Sequence, residues 1–253
     1  MTNTLRSATV RRWCASGVVA GLTCTAGAAR AAECRPPALP AFDATGAGGW
    51  AHVPLSKLKR DTSYRAVSED GRMVVRAAAD RSASMWVHLG RVNLAAAPML
   101  EWRWQVPALI AGAANEDPKR EDAPVRVIIG FDGDKTRLPQ QEQRRMARAK
   151  TLSGRDMPYA TLMYIWDNRN PVDTVVPSAH TSRVKMIVVE SGSAGVGAWR
   201  SYRRDLARDY ERAFGEKPKD VLGFALMTDT DNTGEKTEGV YDALRLACAT
   251  GAP

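Results

Sequence analysis

The sequence predicts a mainly β protein, built as a single β-sandwich with one or two short helices. Three observations predict this fold class. Short runs of alternating apolar and polar residues recur along the chain, Gly, Pro, Asp and Asn separate them, and only two stretches have helical character. No internal repeat, low-complexity tract or long linker divides the chain. We therefore expect residues 32–253 to form one sandwich domain.

The first 31 residues have the pattern of a secretory signal peptide. Arg11 and Arg12 precede a mildly apolar stretch that is too short to span a bilayer. Ala29 and Ala31 then have the small-x-small spacing that a signal peptidase requires. We expect residues 1–31 to be removed and the mature protein to be periplasmic or secreted, with no transmembrane segment.

Removal of the signal peptide changes the charge of the chain. It takes away four arginines and no acidic residue, so the formal net charge falls from +8 to +4. The remaining Lys and Arg are spread along the sequence, which indicates solubility rather than nucleic-acid binding. We expect a monomer whose partner is a glycan or small molecule, not a nucleic acid.

Two of the four cysteines, Cys34 and Cys248, remain after cleavage. An even pair in an oxidising compartment favours a disulfide over two free thiols. The absence of a C-x-x-C motif and the presence of only three histidines exclude a zinc ribbon. We expect Cys34 and Cys248 to bond and to fix the N-terminal segment beside the last strand.

Nine strands are expected in order along the chain. The first two form a hairpin in TSYRAVSEDGRMVVRAAA, because Asp70-Gly71 between alternating runs is a strong turn signal. The other seven are expected in SMWVHLGRV, MLEWRWQV, PVRVIIGFDG, YATLMYIW, SRVKMIVVESG, VLGFALMTD and GVYDALRLAC.

Two stretches predict helices. PQQEQRRMARAK begins at Pro139 and contains good helix formers, but it is polar on nearly all sides. RSYRRDLARDYERAFGEKP carries Leu206, Tyr210 and Phe214 at helical spacing and stops at Gly215. We expect the second helix to pack an amphipathic stripe against the sandwich.

Eight motifs occur in a fixed order along the chain: DGRMVVRAAADRSAS, PMLEWRWQVP, EDAPVRVIIGFDG, YIWDN, MIVVESGSAGVGAW, RDLARDYERAFGEKP, GFALMTDTDNTGE and GVYDALRL. Taken together, they resemble a bacterial secreted family catalogued as domain-of-unknown-function family 3047. The resemblance covers roughly residues 48–247 and implies a jelly-roll-like β-sandwich, but no established catalytic residues. The closing strand reads Val240-Tyr241-Asp242-Ala243-Leu244, where the family tends to have a glycine beside the aspartate.

The run LEWRWQV supplies the first candidate binding residues. Period-two alternation places the tryptophans and aliphatics on one face, which is typical of a sandwich core. Glu101, Arg103 and Gln105 lie on the other face, where a mid-strand arginine must reach water or an acceptor. If that face is concave, the three form a polar floor for a hydroxylated ligand, and if it is convex they are solvated. Asp122 and Arg126 are expected in the same region.

A second candidate is the aromatic pair Tyr164 and Trp166. Both faces of YATLMYIW are apolar, so one aromatic pair could be exposed and stack on sugar C–H surfaces. A central strand that is buried on both sides is the alternative.

The run DTDNTGE suggests a calcium site. Asp229, Asp231 and Thr233 occupy positions one, three and five of a calcium-loop pattern, with Gly234 at position six. Position twelve is Val240, which excludes an EF-hand. Asp229 and Asp231 therefore predict at most a smaller Ca²⁺ site shared with another loop, and an Asp/Asn/Gly turn without metal is the alternative.

Two functions remain from the sequence. The first is an exported binding module for a glycan or other envelope polysaccharide. The second is a carbohydrate-active hydrolase or lyase that uses loop carboxylates, since a glycosidase needs two carboxyls across its substrate. The acidic loop residues are Glu116, Asp117, Glu121 and Asp122. No acidic strand pattern of the sandwich glycosidases and no G-x-S-x-G motif is present, which favours the binding module.

Overall fold

Thirteen strands form two sheets in the computed structural model, which describes residues 34–43, 49–95 and 97–249. The predicted signal peptide, residues 1–31, lies outside the described residues. In chain order the strands are β1 (Ala51–Pro54), β2 (Ser63–Glu69), β3 (Arg72–Asp80), β4 (Ala83–Val92), β5 (Met99–Gln105), β6 (Arg126–Phe131), β7 (Ala160–Asp167), β8 (Val175–Pro177), β9 (Val184–Ser191), β10 (Arg200–Asp205), β11 (Val221–Asp229), β12 (Lys236–Tyr241) and β13 (Arg245–Ala247). The helices are α1 (Gln140–Ser153) and α2 (Leu206–Phe214), and Lys135–Arg137 forms a 3₁₀ turn.

The two sheets face each other across one core. The seven-stranded sheet has the order β1-β4-β11-β6-β7-β9-β8, and the six-stranded sheet has the order β10-β5-β12-β3-β2 with β13 also paired to β5. All pairs are antiparallel except β7 with β9. The mainly β, jelly-roll-like sandwich with two short helices, predicted from the sequence, is confirmed.

The hairpin of β2 and β3 turns where the sequence predicts. Asp70 and Gly71 both have positive φ, 48° and 75°. This left-handed backbone matches the twist of the flanking strands and is accessible to Asp and Gly at low cost.

Residues 200–205 form a strand, so the helix predicted for them from the sequence is wrong. β10 pairs with β5 along its whole length, and the helix begins only at Leu206. Asp205 ends the strand and caps the helix by accepting a hydrogen bond from the Arg208 backbone N–H at 3.0 Å. Arginine is a good helix former, so RSYRRD has helical propensity when it is considered alone. In the folded protein, pairing with β5 overrides that propensity.

The tryptophans of LEWRWQV lie in the core, as the alternation predicts. Trp102 and Trp104 are buried. Trp102 stacks on Tyr164 of the opposite sheet with ring centroids 4.9 Å apart, and on Tyr202 of β10 at 5.1 Å. The first contact joins the two sheets and the second connects neighbouring strands of one sheet, both through aromatic rings, which bury large areas.

Tyr164 and Trp166 are not available to a ligand, so the aromatic platform predicted there is wrong. Both have no exposed surface. The Tyr164 hydroxyl donates to Asp209 Oδ2 at 2.8 Å, and the Trp166 indole N–H donates to the Gly192 carbonyl at 2.9 Å. β7 lies inside its sheet, and Ile165 on its other face packs in a second apolar cluster. The alternative of a strand buried on both sides holds.

A disulfide joins the segment before β1 to the residue that follows β13. Cys34 and Cys248 are bonded, with Cα atoms 5.9 Å apart, as the sequence predicts. None of the helices in the described ranges has the length and apolar character needed to cross a membrane.

Candidate functional site

A polar pocket of about 370 Å³ lies on the outer face of the six-stranded sheet. β5 forms its floor, with β10 on one side and β13 on the other. Its size is at the lower end of the range for small-molecule sites. Its lining residues are Arg72, Glu101, Trp102, Arg103, Ser201, Tyr202, Arg203, Asp242, Ala243 and Arg245. We call this site the arginine pocket.

Strand register brings the charged side chains together. Arg203 of β10 and Arg245 of β13 both lie opposite Glu101 of β5, and Ser201 lies opposite Arg103. Directly opposite residues in an antiparallel pair point to the same face of the sheet. The pocket therefore contains a row in which one carboxylate has an arginine on each side.

A bulge in the closing strand adds Asp242 to this row. Tyr241 pairs with Trp104, and Arg245 pairs with Glu101, so three residues of the closing strand face only two of β5. The Asp242 backbone N–H donates to the Arg103 carbonyl at 2.9 Å. Bulges re-aim side chains and are frequent beside functional sites.

Each carboxylate in the pocket already has a cation. Asp242 Oδ2 lies 2.9 Å from Arg103 Nη2 and 3.4 Å from Arg72 Nη1, while its Oδ1 accepts from the Ala243 backbone N–H at 2.7 Å. Glu101 is ion-paired with Arg203. The pocket thus has few free acceptors.

Several donors in the pocket remain free. Arg245 is exposed and has no ion pair or hydrogen bond within the described ranges. Arg103 Nε has no solvent contact and no hydrogen-bond partner there. Four arginines against two carboxylates leave the lining with a formal charge of +2.

The aromatic ring of Trp199 lies beside one of these arginines. The Arg103 guanidinium lies 4.9 Å from the ring centroid of Trp199, which is partly exposed and precedes β10. Such stacking holds a guanidinium in place. Gln105, predicted beside Arg103, is not among the lining residues, because its amide donates to the Gly197 carbonyl at 2.6 Å.

Beneath the floor, Tyr202 is held by two hydrogen bonds. Its hydroxyl accepts from the Trp104 indole N–H at 3.1 Å and donates to Glu190 Oε2 at 2.9 Å. Burial and the bond to Glu190 raise the pKa of Tyr202 well above its ordinary value. The hydroxyl therefore stays protonated and fixes the strand below the arginines.

Arg126 and Asp122 are not part of this pocket, so their predicted place beside Arg103 is wrong. Arg126 belongs to β6 of the other sheet and is 2 % exposed. It donates to Asp229 Oδ1 and Oδ2 at 2.8 and 3.1 Å and to the Glu121 carbonyl at 2.8 Å. Asp122 accepts backbone N–H bonds from the loop after β11. Both hold loops to the seven-stranded sheet.

A smaller pocket of about 170 Å³ lies beside this buried pair, and we call it the acidic pocket. Glu121, Asp229 and Asp231 line it together with Lys59 and His180. Glu121 Oε2 has no solvent contact and no hydrogen-bond partner among the described residues. Burial raises the pKa of Asp229 to about 6, although the Arg126 guanidinium opposes the shift.

The calcium ion suggested by Asp229 and Asp231 stays a prediction. Their carboxylates and that of Asp122 have ligand oxygens within 4.8 Å of one another. Asp229 is paired with Arg126, and Asp231 is paired with Lys59. A cation at this cluster would have to displace at least the Lys59 ammonium.

Residues 48–245 match a family described as a protein of unknown function, DUF3047. The chain belongs to DUF3047. The match covers β1 to β12 and the first residue of β13, and it includes every residue that lines the arginine pocket. No curated protein sequence matches the chain.

Three solved structures are distantly similar to this DUF3047 chain. The family GH12 endoglucanase 3 of Trichoderma harzianum is 9 % identical, with 86 % of this chain and 98 % of that chain covered at a TM-score of 0.43. The xyloglucanase domain of NopAA, a type three effector from Sinorhizobium fredii in complex with cellobiose, is 10 % identical, with 82 % and 96 % covered at a TM-score of 0.40. The family 11 xylanase from Neocallimastix patriciarum is 8 % identical, with 78 % and 100 % covered at a TM-score of 0.28.

Sequence reasoning within this DUF3047 chain missed most of the pocket. Glu101 and Arg103 were found from strand alternation, but Arg72, Asp242 and Arg245 were not singled out. The alternation of DALRL, which places Arg245 outside and Leu246 inside, is a signal that could have found one of them.

Proposed function

We propose that the protein is an exported, non-catalytic binding module and that its ligand, a glycan, lies in the arginine pocket. The observation that carries this proposal is the dense set of fixed polar groups on an accessible sheet face. Arg103 and Asp242 hold each other, while Arg203 is held by Glu101 and by the Cys248 carbonyl at 2.6 Å. Preorganised donors of this kind suit a ligand rich in hydroxyl oxygens.

The charge pattern favours binding over catalysis at this site. A glycosidase needs one carboxyl as an acid and another as a base or nucleophile. Glu101 and Asp242 are both ion-paired with arginines, so each carboxylate is already engaged. A carboxylate held in this way is not free to act on a glycosidic bond, whereas the same pair is well suited to orient hydroxyl groups.

Export is part of the same proposal. The pattern of residues 1–31 and the Cys34–Cys248 disulfide both suit a periplasmic or secreted protein, since disulfides persist in oxidising compartments.

A glycan array tests the binding function. The full chain is expressed with export, purified with its disulfide intact and applied to a printed set of envelope and plant polysaccharide fragments. We expect binding that survives in Arg65→Gln and weakens in Arg72→Gln. Both residues are exposed arginines of the β2–β3 hairpin, but only Arg72 lines the pocket. Binding that is equally strong in both variants would contradict this site.

A carbohydrate-active hydrolase or lyase is the second candidate, and the acidic pocket supports it. Glu121 has an unpartnered carboxylate oxygen there, beside Asp229 with its raised pKa. These are the groups from which an acid and a base could come. Turnover assays on every glycan bound in the array test it. Loss of activity in Glu121→Gln but not in Glu116→Gln, an exposed neighbour in the same loop, would favour the enzyme.

A further inference from the structure

We propose that the arginine pocket selects glycans that carry an oxyanion, either a carboxylate or a sulfate ester, and that Arg245 and Arg103 bind this group. This inference rests on the proposed glycan-binding function and adds the chemical class of the ligand. It follows from the balance of donors and acceptors in the pocket.

Three of the four carboxylate oxygens of the pocket are already engaged. Both oxygens of Asp242 have partners, at 2.7 Å from the Ala243 backbone nitrogen and 2.9 Å from Arg103 Nη2. Oε1 of Glu101 is held by Arg203. A cationic ligand would therefore find each carboxylate already ion-paired, and a neutral glycan would have few free carboxylate acceptors for its hydroxyl hydrogens.

The donors of the pocket exceed the acceptors. Each guanidinium has five N–H donors and no acceptor. Arg245 is exposed and has no partner among the described residues, and the Arg103 side chain is 33 % exposed beside its ion pair with Asp242. The N–H groups on these exposed parts are accessible to a ligand that supplies acceptors. An oxyanion supplies several acceptor oxygens, and its hydrogen bonds to guanidinium are charge-assisted.

The arrangement also fixes where the charge of the ligand is recognised. Arg245 lies opposite Glu101 in the sheet register, on the side away from Arg203. Arg203 neutralises Glu101, so Arg245 remains available to pair with an anionic group of the ligand. Removal of Arg245 therefore costs the ligand an ionic contact without breaking an ion pair of the protein.

Matched glycans test the inference. The probes are uronic-acid oligosaccharides, the same oligosaccharides with their carboxyls reduced to alcohols, and the reduced forms carrying sulfate esters. Binding to the exported chain is measured by titration calorimetry. We expect an acidic form to bind at least about tenfold more tightly than its reduced counterpart, since hydrogen bonds to charged groups contribute about 1.5–3 kcal/mol. The carboxylate and sulfate series then show which oxyanion is preferred.

Variants locate the effect. Arg245→Gln is expected to remove most of the preference for the acidic form, while Arg65→Gln, on the same sheet face but outside the pocket, is expected to keep it. Both arginines are exposed and have no ion pair among the described residues, so neither change should affect folding.

The outcomes separate the inference from the proposed function. Equal binding of acidic and reduced forms would overturn the oxyanion inference and leave the glycan-binding function intact. An acidic preference unchanged in Arg245→Gln would overturn the role of this pocket. Binding of no probe and no array glycan at millimolar concentration would overturn both.

Discussion

The buried ion pair of Arg126 and Asp229 gives the sharpest test of the packing described above. Arg126 is fully enclosed and makes two contacts to the Asp229 carboxylate, at 2.8 and 3.1 Å. Replacing it in Arg126→Met leaves a buried carboxylate without its cation. Breaking a buried pair in this way costs about 3–5 kcal/mol of unfolding free energy. We expect a loss of this size at pH 7.

The pH dependence gives this prediction a second readout. Burial already raises the pKa of Asp229 to about 6, against the opposing effect of Arg126. Without Arg126 the folded-state pKa must rise further, so above pH 6 the folded variant keeps a proton that its unfolded chain has lost. Stability then falls as pH rises, because the folded state binds more protons. Relative to the wild type, the variant should lose about 1.4 kcal/mol for each pH unit between pH 6 and its own folded-state pKa.

The assay is urea unfolding followed by tryptophan fluorescence at pH 6, 7 and 8, on wild type and Arg126→Met. The control is the double variant with Asp229→Leu, which has no buried charge. It should be less destabilised than Arg126→Met at pH 8 and should not share its added pH dependence. A loss below about 1 kcal/mol in Arg126→Met at pH 7, or a loss that does not grow with pH, would refute the reasoning.

Three further predictions follow from single features of the fold. Replacing Cys34 and Cys248 by serine should lower the unfolding free energy by up to about 5 kcal/mol in denaturant titrations, since the bond closes a loop with a sequence separation of 214; an unchanged midpoint would contradict a bond in the native protein. Trp166→Ala should cost about 3–5 kcal/mol of stability because the ring is fully buried, yet leave glycan affinity of the folded protein unchanged; weaker binding would restore Trp166 as a ligand residue. If calcium binds by displacing Lys59 from Asp231 with a dissociation constant near 10⁻⁴ M, 1 mM calcium should add about 1.4 kcal/mol to the free energy of unfolding and raise the melting temperature. Identical melting temperatures in calcium and in chelator, at equal ionic strength, would contradict a calcium site.

The sequence pattern predicted the fold correctly where the structure depends on residues that are close together in the chain. Alternation in LEWRWQV placed the tryptophans inside and Arg103 outside, and Asp70-Gly71 located the hairpin turn. The pattern failed for RSYRRD, where helical propensity was overridden by pairing with β5. The pattern also could not show whether Tyr164 and Trp166 are buried or exposed, because both faces of their strand are apolar. Only the packing of the folded protein shows that both faces are covered.

The candidate site was predictable only in part, because it is assembled from distant segments. Glu101 and Arg103 share one strand, so alternation alone places them on one face. Arg203 and Arg245 reach the same face from β10 and β13, and no local signal states that these strands flank β5. Asp242 depends on a bulge, which only the register reveals. Arg126 was predicted beside Arg103 for the same reason. The local sequence does not show that β6 and β5 belong to different sheets.

The most direct test of the central claim is to map the bound glycan by amide chemical-shift perturbation. The tightest-binding oligosaccharide from the array is titrated into isotope-labelled exported protein. We expect the largest shifts at Arg103, Ser201 and Arg245, on the outer face of the six-stranded sheet, with Glu121 and Asp231 unchanged. Shifts concentrated at Glu121 and Asp231, with none in the arginine pocket, would contradict the proposed site and favour the hydrolase or lyase.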